Sequence, residues 1–341
     1  MKRLLPVVPL LLLVALLLSP ADSLAGAKRG ILLWWSSVFP ALLPSFICLK
    51  LAQKLGLLCL ADRHPKGRSA VLFGFSLMSG APNGARLLHA LMEKGDLSAR
   101  ECEWLLPLAN NISPVFLISI IASELLKNKA LIPSLAVPFY GSILLLSIPV
   151  FLRHEVSDHS VGSSLRSPMA FADALTAAIE ESMLDMLRIG GCILFSCTVL
   201  ALIQSFLLSD EFSAILAALM EISSGTAAVA RLSLPLRLKV SLLIGISAFG
   251  GLSLALQTMC CYPELRLGRY LVRKLGLGSM AGLICYWLFP LFPGVSTVFA
   301  SRQEVLRRGS TLGALLLSSA LSLGWIGVLA LMMGQRKTER F

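Results

Sequence analysis

The chain has 341 residues, 56% of them in the apolar and aromatic set and only 14% charged, with a mean hydropathy of +0.80. A soluble domain carries about 25% charge and cannot hide this much apolar surface, whereas a polytopic membrane protein has lipid for a solvent; disorder, a disulfide-built secreted module and an ordinary cytosolic enzyme are excluded. The net charge of +11 arises from 30 Lys and Arg that sit mostly in short gaps between apolar runs, as the positive-inside rule describes, and not on the solvated basic face that nucleic acid needs. No nucleic-acid partner is expected.

The first apolar run, 4–18, follows Met1-Lys2-Arg3. Ser23-Leu24-Ala25 resembles a leader cleavage site, but the next run begins almost at once, and residues 1–30 are read as an uncleaved signal-anchor helix. Further runs follow at 31–49, 71–92, 104–126, 131–152, 184–208, 212–230, 238–260, 278–300 and 311–333. A span needs about 20 residues at about 1.5 Å each. Two runs are interrupted by residues that a lipid-facing helix does not tolerate. Phe75–Leu88 contains Gly80, Pro82, Asn83 and Gly84; Leu219–Leu232 contains Glu221, Ser223, Ser224, Gly225 and Thr226. Broken backbone at membrane depth survives only where protein or a wet cavity satisfies it, so both are expected to be re-entrant hairpins. Charge supports this. If all ten runs cross, about half of the 30 Lys and Arg fall on each side; if the two broken runs re-enter, about two thirds fall on the side of the N-terminus.

The expected fold is therefore an all-α polytopic membrane protein with about eight transmembrane helices and two re-entrant or broken hairpins. It is placed in the cell membrane, multi-pass, with both termini cytoplasmic. The second half repeats features of the first. Ser79-Gly80 and Ser224-Gly225 each open a polar, small-residue run, and each is followed by an interrupted helix, at Asn110-Asn111-Ile-Ser113-Pro114 and at Gly250-Gly251-Leu-Ser253. One hairpin entering from each side gives an inverted repeat with the breaks near the midplane. The organisation expected is 31–152 for the first repeat with its connecting helix, 153–175 for a polar linker, 176–275 for the second repeat and 276–341 for C-terminal helices.

These breaks carry the candidate binding residues. Gly80 lets backbone approach a ligand or a helix, Pro82 frees a carbonyl, and Ser79 and Asn83 offer polar groups. Asn110, Asn111 and Ser113 repeat that chemistry. Glu221 is the sharpest single residue, because a carboxylate deep in an apolar run is costly. It could bind a cation, carry a proton or accept bonds from a ribose; the structural alternative is a cap on the hairpin's own N–H groups. Ser224, Ser253 and Gln257 complete the candidate set. Asp185 and Arg188, spaced i, i+3, read as a pair at an interfacial helix start. Eight cysteines form no C-x-x-C, and His154 and His159 beside Glu155 and Asp158 read as a solvated linker, so no metal or cofactor is expected. No catalytic motif occurs, and no enzyme activity is expected.

The run Leu32-Leu33-Trp34-Trp35 through Val38-Phe39-Pro40-Ala41-Leu42-Leu43-Pro44 resembles the start of the sporulation integral membrane protein family, the YlbJ-like proteins. Met78-Ser-Gly-Ala-Pro-Asn-Gly-Ala-Arg86 is similar to that family's Ser-Gly-aromatic-Pro-x-Gly-Ala-Lys signature, with Ala81 in place of the aromatic residue and Arg86 in place of Lys. Asn110 to Phe116, Glu221-Ile222-x-x-Gly225 and Phe249 to Gln257 resemble its later elements. The resemblance covers about residues 30–275. It implies the nucleoside-recognition Gate architecture, also found in concentrative nucleoside transporters and ferrous-iron transport proteins. The function it implies is secondary transport or gating of a small polar solute, nucleoside-like in one reading. The alternative is a non-transporting protein for spore-envelope or cortex assembly. The partners expected are that solute, membrane lipid, and either a second copy of the chain or other sporulation membrane proteins.

Overall fold

The computed structural model of the chain describes residues 7–57, 68–93, 95, 97–153, 169–204 and 209–292, and all regular structure among them is helical. After α1 (Val7–Leu18), Ser19 leaves the helical region at φ −128° and ψ 63°. A continuous helix of 35 residues then runs from Pro20 to Lys54: α2 (Pro20–Leu33), a π turn (Trp34–Val38) and α3 (Phe39–Lys54). The expected gap between the first two runs is thus helical. The reason is packing: a Cβ on Gly26 would stand 2.7 Å from Ala201 Cβ, and one on Gly30 2.8 Å from Leu194 Cα. Gly26-x-x-x-Gly30 is the small-residue spacing that lets two membrane helices touch through their backbones.

The chain continues through α4 (Arg68–Ser79), α5 (Asn83–Glu93), α6 (Ala99–Ala109), a π-helix (Phe116–Leu125), α7 (Ile132–Arg153) and α8 (Phe171–Gln204). It then forms α9 (Asp210–Met220), α10 (Ile222–Arg231), α11 (Leu236–Phe249), α12 (Gly251–Cys261) and α13 (Leu267–Leu288). Five stretches among the described residues are long and apolar enough to cross a membrane: Pro20–Lys54, Lys129–Val150, Phe171–Gln204, Leu236–Cys261 and Leu267–Leu291. The runs at 71–92, 104–126 and 212–230 each divide into two shorter helices. The run at 311–333 lies outside the described residues, as does most of the linker with His154 and His159. The boundaries expected at 175 and 275 fall inside α8 and α13.

α2 and α3 lie along α8, and α13 packs on both α11 and α7. The α11–α13 contact is close because Gly245 faces Gly278, where a Cβ on Gly278 would meet Gly245 O at 2.6 Å. Leu17, Leu18, Trp287 and Leu291 are each more than 70% exposed. Large apolar side chains on the outside are what a lipid solvent calls for, and this exterior agrees with the membrane reading of the composition.

Candidate functional site

Four interruptions break the helices, and each has a local cause. At the first, Gly80 ends α4 with φ +72°, a conformation cheap only for glycine, and Ala81 N donates to Asn111 O at 2.7 Å. A Cβ on Gly80 would lie 2.8 Å from Ser113 N, so the first break rests on the second. There α6 ends at Ala109, and Asn111 Nδ2 donates to the carbonyls of Pro107 at 3.0 Å and Leu108 at 2.8 Å. These are carbonyls that a helix end leaves without partners.

At the third break Glu221 is at once the C-cap of α9 and the N-cap of α10, with φ −155° and ψ 135°. Its Oε1 accepts from Ser223 N at 2.8 Å and its Oε2 from Ser224 N at 2.7 Å. The carboxylate therefore caps the hairpin with both oxygens while being 3% exposed. The fourth break is Gly250, at φ +83°. A Cβ on the adjacent Gly251 would stand 3.1 Å from both Glu221 N and Met220 O, so the fourth break rests on the third.

The four breaks meet around one cavity of about 60 Å³, whose polar lining comes from Ser113, Glu221, Ser223, Ser253 and Gln257, with Ala81 from the first break. Val38, Leu42, Phe46 and Ile189 of the two long helices close its apolar wall. A site of this size and polarity accommodates water or an ion; pockets for drug-sized ligands begin near 300 Å³.

The expected site residues divide accordingly. Ser113, Glu221, Ser253 and Gln257 line the cavity. Ser79, Gly80, Asn83, Asn110, Asn111 and Ser224 stand behind it. Ser79 Oγ donates to Ser76 O, Ser224 Oγ to Glu221 O, both at 3.2 Å, and Asn110 Nδ2 to Thr258 Oγ1 at 2.7 Å. Two polar atoms of this layer are buried without a hydrogen-bond partner, Asn83 Nδ2 and Asn110 Oδ1.

Two charged centres beside the breaks are absent from the sequence-based set. Lys274 reads in sequence as one of the basic residues of a loop. It is instead inside α13, 1% exposed, with Nζ donating to Asn111 Oδ1 at 2.7 Å and Asn110 O at 3.1 Å. No carboxylate among the described residues pairs with it. Its ammonium faces the C-terminal end of α6, where exposed carbonyls and the helix dipole present negative charge. Asp185 reads as an interfacial partner of Arg188. That contact exists at 3.5 Å, but Asp185 is 1% exposed and its principal partners come from other elements. Lys50 Nζ of α3 lies 2.6 Å from Oδ2, and Arg86 of α5 reaches Oδ2 through Nη1 at 2.7 Å and Oδ1 through Nη2. One turn further along α8 is Ile189, in the cavity wall. Among the described residues no three His, Cys, Asp or Glu side chains cluster as metal ligands.

Helices interrupted at four places around a small cavity, with long apolar helices beside them, define an all-helical membrane protein. The chain is similar to the sporulation integral membrane protein YlbJ of Bacillus subtilis (strain 168), at 24% identity over 327 residues covering 80% of this chain and 79% of the relative. No protein-family profile matches the chain, and no solved structure does.

Proposed function

We propose that this chain is a sporulation-associated membrane protein built as an inverted repeat, and that its four interruptions gate a path for a small polar solute. The observation that carries the reading is the convergence of all four breaks on one cavity, mostly apolar in its lining, into which Glu221 and four other polar residues are set. Element order supports the repeat. A long helix, a hairpin, an interrupted helix and a second long helix occur as Pro20–Lys54, α4–α5, α6 with its π-helix, and α7; they recur as α8, α9–α10, α11–α12 and α13. Corresponding members also pack on one another, α2–α3 on α8 and α7 on α13, as the axis of an inverted repeat requires.

End-to-end contacts support two re-entrant hairpins. Met169 N donates to Lys54 O at 3.0 Å, Arg29 reaches Gln204 at 3.5 Å, and Arg269 reaches Glu103 at 3.3 Å. Each contact would join opposite membrane faces if the broken runs crossed. The cavity's size favours an ion or a water-sized solute; a nucleoside-like solute, which the family resemblance implies, would require the hairpins to part.

The assembly reading draws on a different observation. Glycines at 80, 84, 225 and 251 close the breaks directly onto neighbouring backbone, which is also how a rigid scaffold would be packed. Reconstituted protein separates the two. In proteoliposomes, flux of at least one member of a panel of monovalent ions and nucleosides is expected above protein-free vesicles. Glu221→Gln keeps the side-chain shape but turns an amide NH2 toward one of the two capped N–H groups; compared at equal amounts of folded protein, it should lower that flux at least tenfold. Correctly folded wild-type protein that passes nothing, in a strain where its deletion blocks spore formation, would favour assembly.

A further inference from the structure

A second cavity, of about 300 Å³, opens away from the breaks, between the start of α6 and the segment leading into α13. Its position sets its level. Ala99 begins α6 and Arg266 immediately precedes the membrane-length stretch Leu267–Leu291, so the opening lies where a span meets water and lipid phosphates are found. Arg100, Arg266 and Arg273 line it, with Glu103 and Glu264 as the acids. Arg269 stands at the rim, 3.3 Å from Glu103.

The four arginines are not equivalent. Arg273 is fixed: its guanidinium stacks 3.9 Å from the Trp104 ring centroid and donates to Glu103 O at 2.5 Å. Arg269 is committed to the Glu103 carboxylate. Glu264 lies 3.3 Å from His89. Arg266 makes no side-chain hydrogen bond or ion pair with any described residue, and it is exposed at the cavity mouth. Four guanidinium groups against two carboxylates leave an excess of positive charge in a concave site. The planar fork of arginine matches the oxygens of a phosphate and binds them in pairs. Leu106, Leu265 and the Tyr262 ring supply apolar wall for whatever the phosphate is esterified to. The volume exceeds that of a bare phosphate and reaches the lower range of small-molecule pockets.

We propose that this pocket binds a phosphate ester, held by Arg266 together with the fixed Arg273. The ester is either an anionic lipid headgroup, a phosphodiester, or a soluble phosphate monoester, and both present non-bridging phosphate oxygens to the same arginines. The site is independent of the gating reading, since none of its residues lines the cavity at the breaks.

The test uses the full chain in two settings, with the thermal unfolding midpoint as readout. In detergent it is titrated with glycerol phosphate; in nanodiscs, phosphatidylcholine alone is compared with phosphatidylcholine containing phosphatidylglycerol. A midpoint that rises with glycerol phosphate assigns a soluble ester. A rise confined to phosphatidylglycerol assigns the headgroup. In either case Arg266→Gln should weaken the apparent affinity about tenfold, the scale of losing a charge-assisted hydrogen bond, without lowering the midpoint of the free protein. Arg266→Lys should fall between, and Lys28→Gln, a charge loss on α2 outside the pocket, should behave as wild type. No rise in either setting, or the same rise in Arg266→Gln, overturns the proposal.

Discussion

Asp185 ties three elements together through one carboxylate, and its loss should be felt in all of them. Asp185→Asn leaves Lys50 and Arg86 facing a neutral amide in a buried position, and stranding one side of a buried ion pair typically costs about 3–5 kcal/mol. The expected outcome is a lowered unfolding midpoint in detergent, with partial recovery in the Lys50→Met, Asp185→Asn double variant because a stranded cation is removed. Lys274→Met is the matching change at the second break. It leaves Asn110 O and Asn111 Oδ1 without their donor, at about 1–3 kcal/mol for unsatisfied buried acceptors, and the same unfolding measurement should register it. An unchanged midpoint would mean that the ammonium does not hold the end of α6. At this scale the sequence was informative where a polar residue interrupts an apolar run, as with Asn83, Asn111 and Glu221. It was silent where a charge stands at the edge of a run. Lys50, Asp185 and Lys274 occur at such edges, and only tertiary contacts distinguish a buried ion from an interfacial one there.

The interruptions were legible as elements because glycine, proline and an acid leave few helical alternatives, and the structure breaks at Gly80, Asn110, Glu221 and Gly250, within a residue or two of where the sequence breaks. The join of α2 to α3 was not legible: residues 20–30 read as part of the first helix, and Pro20, Gly26 and the Lys28-Arg29 pair give no sign that they continue into the next one. What makes the stretch helical is the face it shares with α8, through Gly26 and Gly30, information that belongs to two segments about 170 residues apart. Hairpin closure depends on the same kind of contact. Gly225 lies against Ala218 so closely that any Cβ there overlaps the backbone of α9. Gly225→Val should force α9 and α10 apart and destabilise the protein by about 1–3 kcal/mol, the usual cost of overpacking. Gly74→Ala is the control. A Cβ at Gly74 meets nothing within 4 Å, and alanine in the helix interior should be neutral or stabilise by about 0.5–1 kcal/mol. Equal behaviour of the two variants in a thermal unfolding series would argue against tight hairpin packing.

For the molecule as a whole, the proposed re-entrant hairpins make a definite statement about sidedness. In a cysteine-free background, single cysteines at Glu93 and Glu264 should react with an impermeant reagent from one side, the cytoplasmic one. Cysteines at Asn128 and Ser233 should react from the other. Glu93 and Glu264 reacting from opposite sides would show that the first broken run crosses. The arrangement of charge already favoured this topology at the sequence level; the contacts that join Lys54 to Met169 and Arg29 to Gln204 are the part no linear pattern contains.

The two long helices carry a consequence for the bilayer itself. At 35 and 34 residues they are each about 50 Å long, against a hydrocarbon thickness of about 30 Å. Lying flat enough to fit entirely would take a tilt beyond the 0–40° that membrane helices adopt, so their ends must project. The stretches Lys129–Val150, Leu236–Cys261 and Leu267–Leu291 hold 22, 26 and 25 residues, much closer to a single thickness. A thicker or thinner membrane therefore slides along the long pair with little effect and strains the shorter helices, which include the interrupted pair α11–α12. Acyl-chain length becomes a mechanical input that the protein's frame ignores and its breaks register.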